Sequence, residues 1–270
     1  MTTPPVYEIY ALRFATLASS AKDNFLLRGE VHDGPLALDF FLWAIRNEER
    51  VVVFDTGFGH EASTRRNRPL LRHPVEALAA LGIDAATVKN VVFSHLHYDH
   101  SGNAECFPAA TFHVQDSEVQ FATGRCMCHR ALRGAFDAQN VVDLVRNVYA
   151  DRVKFHDGDE EPWPGISLHR LGGHTGGLQV MRVHTARGWV VLASDAAHYY
   201  RNFLLDNPFP IVLNIADAIE GNRKLLALAD SPDHVVPGHD PQVLNLYPRL
   251  ESDEIGISCL HLPPVGEVQL

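Results

Sequence analysis

The chain has 270 residues, of which 46% are hydrophobic and 21% charged, and its formal net charge is −10. This composition is that of an ordinary globular protein, so it excludes the intrinsically disordered and fibrous classes. The acidic balance argues against a broad basic face that would hold nucleic acid, and we expect no nucleic-acid partner. The short basic run at residues 65–68 (RRNR) can contact an anion locally, although such a run is usually a solvated surface.

The sequence carries no sign of secretion or of membrane insertion. Residues 1–5 lack a basic segment followed by an apolar stretch, and no apolar run approaches the roughly 20 residues that span a bilayer. We therefore expect a cytoplasmic protein without a membrane partner, either a monomer or a homodimer. Cys126 and Cys128 next to His129 resemble a soft-metal site, but a zinc site normally needs two ligand pairs. All four cysteines are expected to be free thiols: Cys106, Cys126, Cys128 and Cys259.

Short apolar strands alternate with helices along the chain, and five strands end at a polar residue and a turn. These strands are residues 51–54, 91–93, 166–171, 189–193 and 235–236. Helices are expected at residues 74–81, which begin at a proline and stop at Gly82, and at residues 217–229, with Asp217 as the N-cap.

The segment of residues 115–150 is expected to be mostly helical, with breaks near Gly124 and Gly134. It contributes no metal-type residue at a strand end, and we interpret it as an insertion that covers the sheet edge. No linker of glycine, serine and proline divides the chain. We therefore expect one domain over residues 1–270.

A compact group of metal-type residues follows the second of the five strands. In an extended loop, residues at i, i+2 and i+4 face one side, so His95, His97 and Asp99 can face one point while His100 faces the neighbouring side. Four such donors within six residues can serve two adjacent ions. Further donors stand at three later strand ends, which carry His174, Asp195 and His239.

These residues predict a site for two divalent ions at the edge where the strands end. Imidazole nitrogens and carboxylate oxygens suit zinc, and iron, manganese and cobalt are the alternatives. We expect Asp195 to bridge the ions with one oxygen to each, and Asp55 to accept a hydrogen bond from a ligand histidine. Each ion would have three ligands of its own, which are His95, His97 and His174 for the first and Asp99, His100 and His239 for the second.

The order of these motifs resembles the metallo-β-lactamase superfamily. The HxHxDH motif at residues 95–100, with the later donors and the upstream Asp55-Thr56-Gly57, extends over residues 50–240. The resemblance implies an α+β fold, an αβ/βα four-layer sandwich in which two mixed β-sheets are flanked by helices. Within the superfamily the chain most resembles the N-acyl-homoserine lactonases, the quorum-quenching lactonases, which are single domains of similar length with a helical insertion.

The resemblance implies a dinuclear metal-dependent hydrolase that opens an N-acyl-homoserine lactone or a similar cyclic ester through a hydroxide shared by the ions. Asp99 would move a proton to the leaving oxygen. Lactonases of this group commonly have a tyrosine three residues after the bridging aspartate, where this chain has His198, followed by Tyr199. His198 or Tyr199 is therefore the expected hydrogen-bond donor to the carbonyl oxygen. Residues 25–27, 199–205 and 209–211 are expected to shape the pocket, although ordinary core packing explains them equally well.

Other activities share the metal motif and stay open as alternatives. These are the hydrolysis of organophosphates, thioesters, aryl esters or cyclic amides. Thioester hydrolases of the glyoxalase II type carry a C-terminal helical domain, whereas only about 30 residues follow His239 here. Zinc β-lactamases usually have cysteine where Asp195 stands. The alternative from another class is a mononuclear iron persulfide dioxygenase, which metal analysis distinguishes.

Overall fold

The computed structural model describes residues 3–30 and 32–270. The interpretation of the N-terminus rests in part on Met1 and Thr2, which lie outside the described residues. The strands, in chain order, are β1 (Glu8–Leu17), β2 (Leu38–Arg46), β3 (Val51–Phe54), β4 (Asn90–Val92), β5 (Thr111–Gln115), β6 (Val153–His156), β7 (Glu160–Trp163), β8 (Ile166–Arg170), β9 (Gln179–Thr185), β10 (Gly188–Ser194), β11 (Val235–Pro237) and β12 (Ile257–Cys259). The α-helices are α1 (His60–Arg66), α2 (Pro74–Ala79), α3 (Asp116–Thr123), α4 (Arg130–Arg133), α5 (Ala138–Tyr149), α6 (Tyr200–Leu204), α7 (Ile215–Leu228) and α8 (Val243–Leu246).

The strands form two mixed sheets. The first has seven strands in the order β12-β1-β2-β3-β4-β5-β6, antiparallel from β12 to β3 and parallel from β3 to β6. The second has five strands in the order β11-β10-β9-β8-β7, and only the β10–β11 pair is parallel. Two mixed sheets with helices are the architecture that the sequence predicts.

Strand β2 shows why the seven-stranded sheet is covered on both faces. Its sequence, LDFFLWAIR, is an almost continuous apolar run, and all of its residues except the last are buried. Phe41, Trp43 and Ile45 pack in a core shared with β8, β9 and β10 of the other sheet. Phe40 and Leu42 pack in a second core that contains residues of α2 and α5. Since successive side chains of a strand point to opposite faces, a strand that is apolar at every position needs a layer on each side.

Helix α7 begins earlier than the sequence predicts. The expected N-cap was Asp217, but the helix starts at Ile215 and its N-cap is Asn214. The Asn214 side-chain oxygen accepts from the backbone N–H groups of Ala216 and Asp217, so Asp217 lies inside the first turn. The prediction was wrong because asparagine and aspartate are equally good N-caps and both occur within four residues.

The segment of residues 115–150 is mostly helical, as predicted, and comprises α3, α4 and α5. Gln115 is an exception because it is the last residue of β5. Gly124 follows α3 and Gly134 follows α4, at the two predicted breaks.

Helix α2 ends at Ala79, two residues before the predicted end. In the chain outside residues 1, 2 and 31, every helix is too short or too polar to cross a membrane.

Candidate metal centre

The seven donor residues predicted from the sequence lie together where strands of both sheets end. All of them are buried, and Asp99 is the most exposed, at 9%. Their ligand atoms form two groups in which all atoms lie within 4.8 Å of one another, and a third group of this kind joins Asp195 and His239 to His198. The first group consists of His95, His97, His174 and Asp195, and the second of Asp99, His100 and His239. The structure therefore brings together the side chains that were expected to hold each ion.

The Asp195 carboxylate lies between the two groups, and its oxygens face different histidines. Oδ2 is 3.2 Å from His174 Nε2 and 3.7 Å from His95 Nε2, both in the first group. Oδ1 is 2.9 Å from His239 Nε2 and 3.2 Å from His100 Nε2, both in the second. A carboxylate that presents one oxygen to each group has the geometry of a bridging ligand.

Four of the histidines use their Nδ1 atoms for contacts with the protein. The partners are Ser94 Oγ for His95 (2.9 Å), Asp55 Oδ2 for His100 (2.8 Å), the Ile211 carbonyl for His174 (2.7 Å) and the Asp39 carbonyl for His239 (2.8 Å). A hydrogen on Nδ1 that is donated to a carboxylate or carbonyl leaves the lone pair on Nε2, which is the tautomer that binds a metal. His97 differs, since its Nδ1 faces His174 Nε2 at 3.0 Å.

Two buried nitrogens of the seven donor residues have no hydrogen-bond partner among the described residues. They are His95 Nε2 and His100 Nε2, which both face Asp195. A buried polar atom without a partner costs free energy, and a cation at the centre would remove that cost for both nitrogens. The donor set therefore fits divalent metal ions.

Asp55 joins strand ends that carry the predicted donor residues. Its carboxylate accepts from the Ser94 backbone N–H (2.7 Å), from Ser94 Oγ (2.8 Å) and from His100. Ser194 Oγ, at the end of β10, donates to Ser94 Oγ at 2.8 Å. Both Asp55 (φ 63°) and Ser194 (φ 45°) have left-handed backbones, which turn the chain sharply at the strand ends. The expected contact between Asp55 and one of the predicted ligand histidines, His100, is present.

Glu118, near the start of α3, is a buried residue that the sequence interpretation missed. Its carboxylate accepts from the Leu96 N–H (2.9 Å) in one ligand loop, and from Thr175 Oγ1 (2.6 Å) and the Gly177 N–H (2.8 Å) in another. A Cβ on Gly177 would lie 2.1 Å from the Glu118 backbone nitrogen, so this approach requires glycine. No motif marks Glu118, and its neighbours Asp116, Ser117 and Gln120 are polar, so no local signal in the sequence distinguishes it.

The carboxylates and imidazoles of the site shift one another's pKa. Burial lowers the pKa of His95, and the neighbouring His100 and His97 lower it further. For His100, burial also favours the neutral form, but the carboxylates of Asp195, Asp99 and Asp55 outweigh it and raise the pKa above its usual value. Burial would raise the pKa of Asp195, but the surrounding histidines hold it well below its usual range. The site therefore offers an ionised carboxylate at its centre.

The two candidate donors after Asp195 lie in different surroundings. His198 Nε2 is 3.1 Å from Asp195 Oδ2, and its ring stacks on Phe209 with a centroid distance of 3.7 Å and an interplanar angle of 4°. The Tyr199 hydroxyl instead donates to the Ala37 carbonyl at 3.1 Å, and its ring packs against Phe25. His198 lines the cavity at the metal centre, and Tyr199 does not.

That cavity has a volume of about 340 Å³ and reaches Asp99 and Asp195. Phe209 and Ile211, from the stretch expected to shape the pocket, line it. Residues 25–27 do not, and the N-terminal wall is formed instead by Ser19, Asp23 and Asn24. The remaining walls are apolar or basic, and they contain Leu17, Leu38, Phe40, Arg66 and Arg68.

Comparisons with known proteins show the family and the fold of the chain. The model of the metallo-beta-lactamase superfamily matches residues 41–239. A probable metallo-hydrolase of Mycobacterium tuberculosis is 25% identical over 277 residues, which cover 92% of this chain and 82% of the relative. An N-acyl homoserine lactonase of Azorhizobium caulinodans is 28% identical over 250 residues, which cover 86% of this chain and 93% of the relative. The crystal structure of a quorum-quenching N-acyl homoserine lactone lactonase has the same fold, with a TM-score of 0.70 at 22% identity over 89% of this chain and 94% of that one.

The chain therefore belongs to the metallo-β-lactamase superfamily. It is a metallo-hydrolase of this fold, related to the N-acyl homoserine lactonases, and it carries a cluster of histidines and aspartates suited to divalent metal ions.

Proposed function

We propose that this protein opens the ring of a lactone, with an N-acyl-homoserine lactone or a similar cyclic ester as substrate. The observation that carries the proposal is the placement of Asp195, whose two oxygens face two separate groups of imidazole nitrogens. Such a donor set suits two ions rather than one. The lactonase relatives support the choice of a cyclic ester.

Two divalent metal ions, which we expect to be zinc, would be bound by the two sets of ligands that the sequence predicts. His95, His97 and His174 would hold the first, Asp99, His100 and His239 the second, and Asp195 both. When bound, two such ions acidify a water molecule and polarise an ester carbonyl, which supplies a nucleophile at neutral pH.

Asp99 would transfer a proton during ring opening, and His198 would donate a hydrogen bond to the ester. Asp99 is the most exposed of the seven donors and lies on the cavity wall, so its carboxylate can pass a proton to the ring oxygen as that oxygen leaves. His198 would donate from Nε2 to the carbonyl oxygen, where negative charge develops in the transition state. The stack against Phe209 holds the imidazole plane in place.

The apolar wall of the cavity would hold the rest of the substrate. Leu17, Phe40 and Ile211 contribute apolar surface on the approach to the donor residues. Ligand sites are mostly apolar with a few placed polar groups, which suits a moderately hydrophobic ester.

The test is a pH-stat screen of the zinc-loaded protein against N-acyl-homoserine lactones of several chain lengths, aromatic lactones, thioesters and phosphotriesters. Proton release with a lactone, abolished by chelator and restored by zinc, is the expected result. Release only with thioesters or phosphotriesters would refute the lactone assignment. One bound iron ion per chain, together with consumption of O₂ when a persulfide is the substrate, would refute hydrolysis altogether.

A further inference from the structure

Two arginine side chains, Arg66 and Arg68, line the cavity at the metal centre and have no role in the proposed reaction. They belong to the RRNR run, in which α1 ends and Asn67 adopts a left-handed backbone (φ 51°). Both backbone polar groups of Arg68 are held by Ser63, because the Arg68 N–H donates to the Ser63 carbonyl (2.9 Å) and the Arg68 carbonyl accepts from Ser63 Oγ (2.7 Å). The turn therefore fixes the point from which the Arg68 side chain extends.

Neither guanidinium forms an ion pair with a carboxylate of the residues that the structure describes. Arg66 is nevertheless occupied, since it donates to the carbonyls of Gly134 (2.9 Å) and Phe136 (2.8 Å) and lies 4.0 Å from the centre of the Tyr98 ring. It holds the chain between α4 and α5 against α1.

Arg68 is far less engaged. Its Nη1 donates to the neighbouring backbone carbonyls of Arg66 (3.1 Å) and Asn67 (3.4 Å), and its side chain also contacts the Tyr98 hydroxyl. A guanidinium has five N–H donors in a planar fork that matches a carboxylate. Arg68 therefore keeps donors available for a ligand in the cavity.

The charge on the cavity wall favours an anionic ligand. Its acidic residues in the described chain are Asp23, Asp99 and Asp195, and the last two would be engaged by divalent cations in the proposed function. Asp23 is exposed to solvent. With ions bound, positive charge exceeds negative charge along the wall, and such a cleft concentrates anions.

Arg65 provides the contrast within the same run. It forms ion pairs with Glu61 and Asp137 and lies at a different cavity, on the other side of Tyr98. Its charge is compensated, whereas the charge of Arg68 is directed to the metal-centre cavity without a carboxylate partner.

We propose that the substrate is a lactone that carries a carboxylate away from the scissile ester, and that Arg68 binds this carboxylate. The inference rests on the proposed function and names a substrate class within it. Arg68 is then a specificity residue, and a charge-assisted, bidentate contact to it distinguishes carboxylated lactones from neutral ones of the same length.

Matched pairs of lactones test this with the zinc-loaded enzyme. Homoserine lactones acylated with succinate, glutarate or adipate are compared with butanoyl, pentanoyl and hexanoyl lactones of equal chain length. We expect kcat/KM for at least one carboxylated member to exceed that of its neutral partner by about tenfold, the size of one charge-assisted contact. Arg68→Gln should abolish that ratio, Arg68→Lys should restore part of it, and the control Arg65→Gln should leave it at the wild-type value.

Equal kcat/KM for the two members of every pair, or an equal loss for both in Arg68→Gln, would overturn the inference. A binding measurement separates it from the lactonase proposal. Calorimetric titration of the zinc-loaded protein with adipate and with hexanoate should show tighter binding of the dicarboxylate, and Arg68→Gln should remove that difference. If no lactone is opened but adipate retains this preference, the proposed reaction fails and the anion site stands. If the two acids bind equally, the anion site fails.

Discussion

At the scale of single residues, four of the five histidines proposed as ligands have Nδ1 fixed by the protein and Nε2 directed to the centre. Asp55 fixes His100 in this way, with its Oδ2 2.8 Å from His100 Nδ1. The same carboxylate also holds Ser94, so its charge and its acceptor oxygens both act on the site. Loss of such a contact typically weakens metal binding without removing a ligand.

Asp55→Asn should therefore weaken the binding of one of two zinc ions by about 10- to 100-fold. The amide keeps the size of the side chain and tolerates the left-handed backbone, but its NH₂ group opposes the donors of His100 and Ser94. Competition with a chromophoric chelator measures both affinities. Two unchanged affinities would contradict the role of Asp55 in orienting His100.

His198 and Tyr199 allow a second prediction, because they are adjacent but differ in surroundings. His198→Phe should lower kcat for lactone opening by about 100-fold, the effect of losing one donor to a developing oxyanion. Tyr199→Phe should leave kcat within about twofold and cost about 1 kcal/mol of unfolding free energy, because it removes only the hydrogen bond to Ala37. Steady-state kinetics and urea unfolding separate the two effects. A normal kcat in His198→Phe would exclude it as the donor.

At the scale of elements, α3 connects two ligand loops that are far apart in sequence. Glu118 receives hydrogen bonds from Leu96 and from Thr175 and Gly177, so one carboxylate couples the loop after β4 to the loop after β8. The helix is thereby part of the support of the metal centre.

Glu118→Gln should destabilise the fold by about 1–3 kcal/mol, because the amide nitrogen cannot accept from the buried N–H groups that the carboxylate serves. Glu105→Gln is the matched control, since Glu105 is exposed and its replacement should change stability by less than about 0.5 kcal/mol. Chemical unfolding of both variants measures the difference. Equal stability of the two variants would show that Glu118 does not couple the loops.

The local patterns explain which elements could be predicted. The apolar runs of β3, β4 and β10 and the polar residues that follow them, Asp55, His95 and Asp195, are readable because each strand and its polar residue are close in sequence. Glu118 and Arg68 were not assigned to the site because their contacts depend on how α3 and α1 pack, which no local pattern encodes. Tyr199 was ambiguous for a related reason: the sequence places it next to His198, but only the packing against Phe25 directs its ring away from the cavity.

At the scale of the whole molecule, the chain buries many ionisable groups outside the metal centre. His113 on β5 is one of them, with Nδ1 3.0 Å from His156 Nε2 on β6. Burial, followed by the neighbouring His156 and Lys154, lowers the pKa of His113 to about 3 against a smaller opposing effect of Glu160. The folded protein therefore keeps His113 neutral at pH values where the unfolded chain protonates it.

This shift sets the sign of a pH dependence. Since the folded pKa lies below the unfolded value, the contribution of His113 is fully present above about pH 6.5 and is lost as the pH falls toward 3, by about 1.4 kcal/mol per unit. Between pH 6.5 and 5, metal-free His113→Gln should lose about 2 kcal/mol less unfolding free energy than the metal-free wild type. His129→Gln, at an exposed position, should follow the wild type. The unfolding free energy of each protein is measured by chemical unfolding across this pH range. If it falls equally with pH in all three proteins, His113 is not kept neutral in the folded state.

The central claim is that Asp195 lies between two metal ions. Crystals grown with zinc, with anomalous diffraction recorded on both sides of the zinc absorption edge, test it most directly. We predict two zinc peaks about 3.5–4 Å apart, one beside His95, His97 and His174 and the other beside Asp99, His100 and His239, with an Asp195 oxygen on each. A single peak, or two peaks that do not share Asp195, would contradict the two-metal centre.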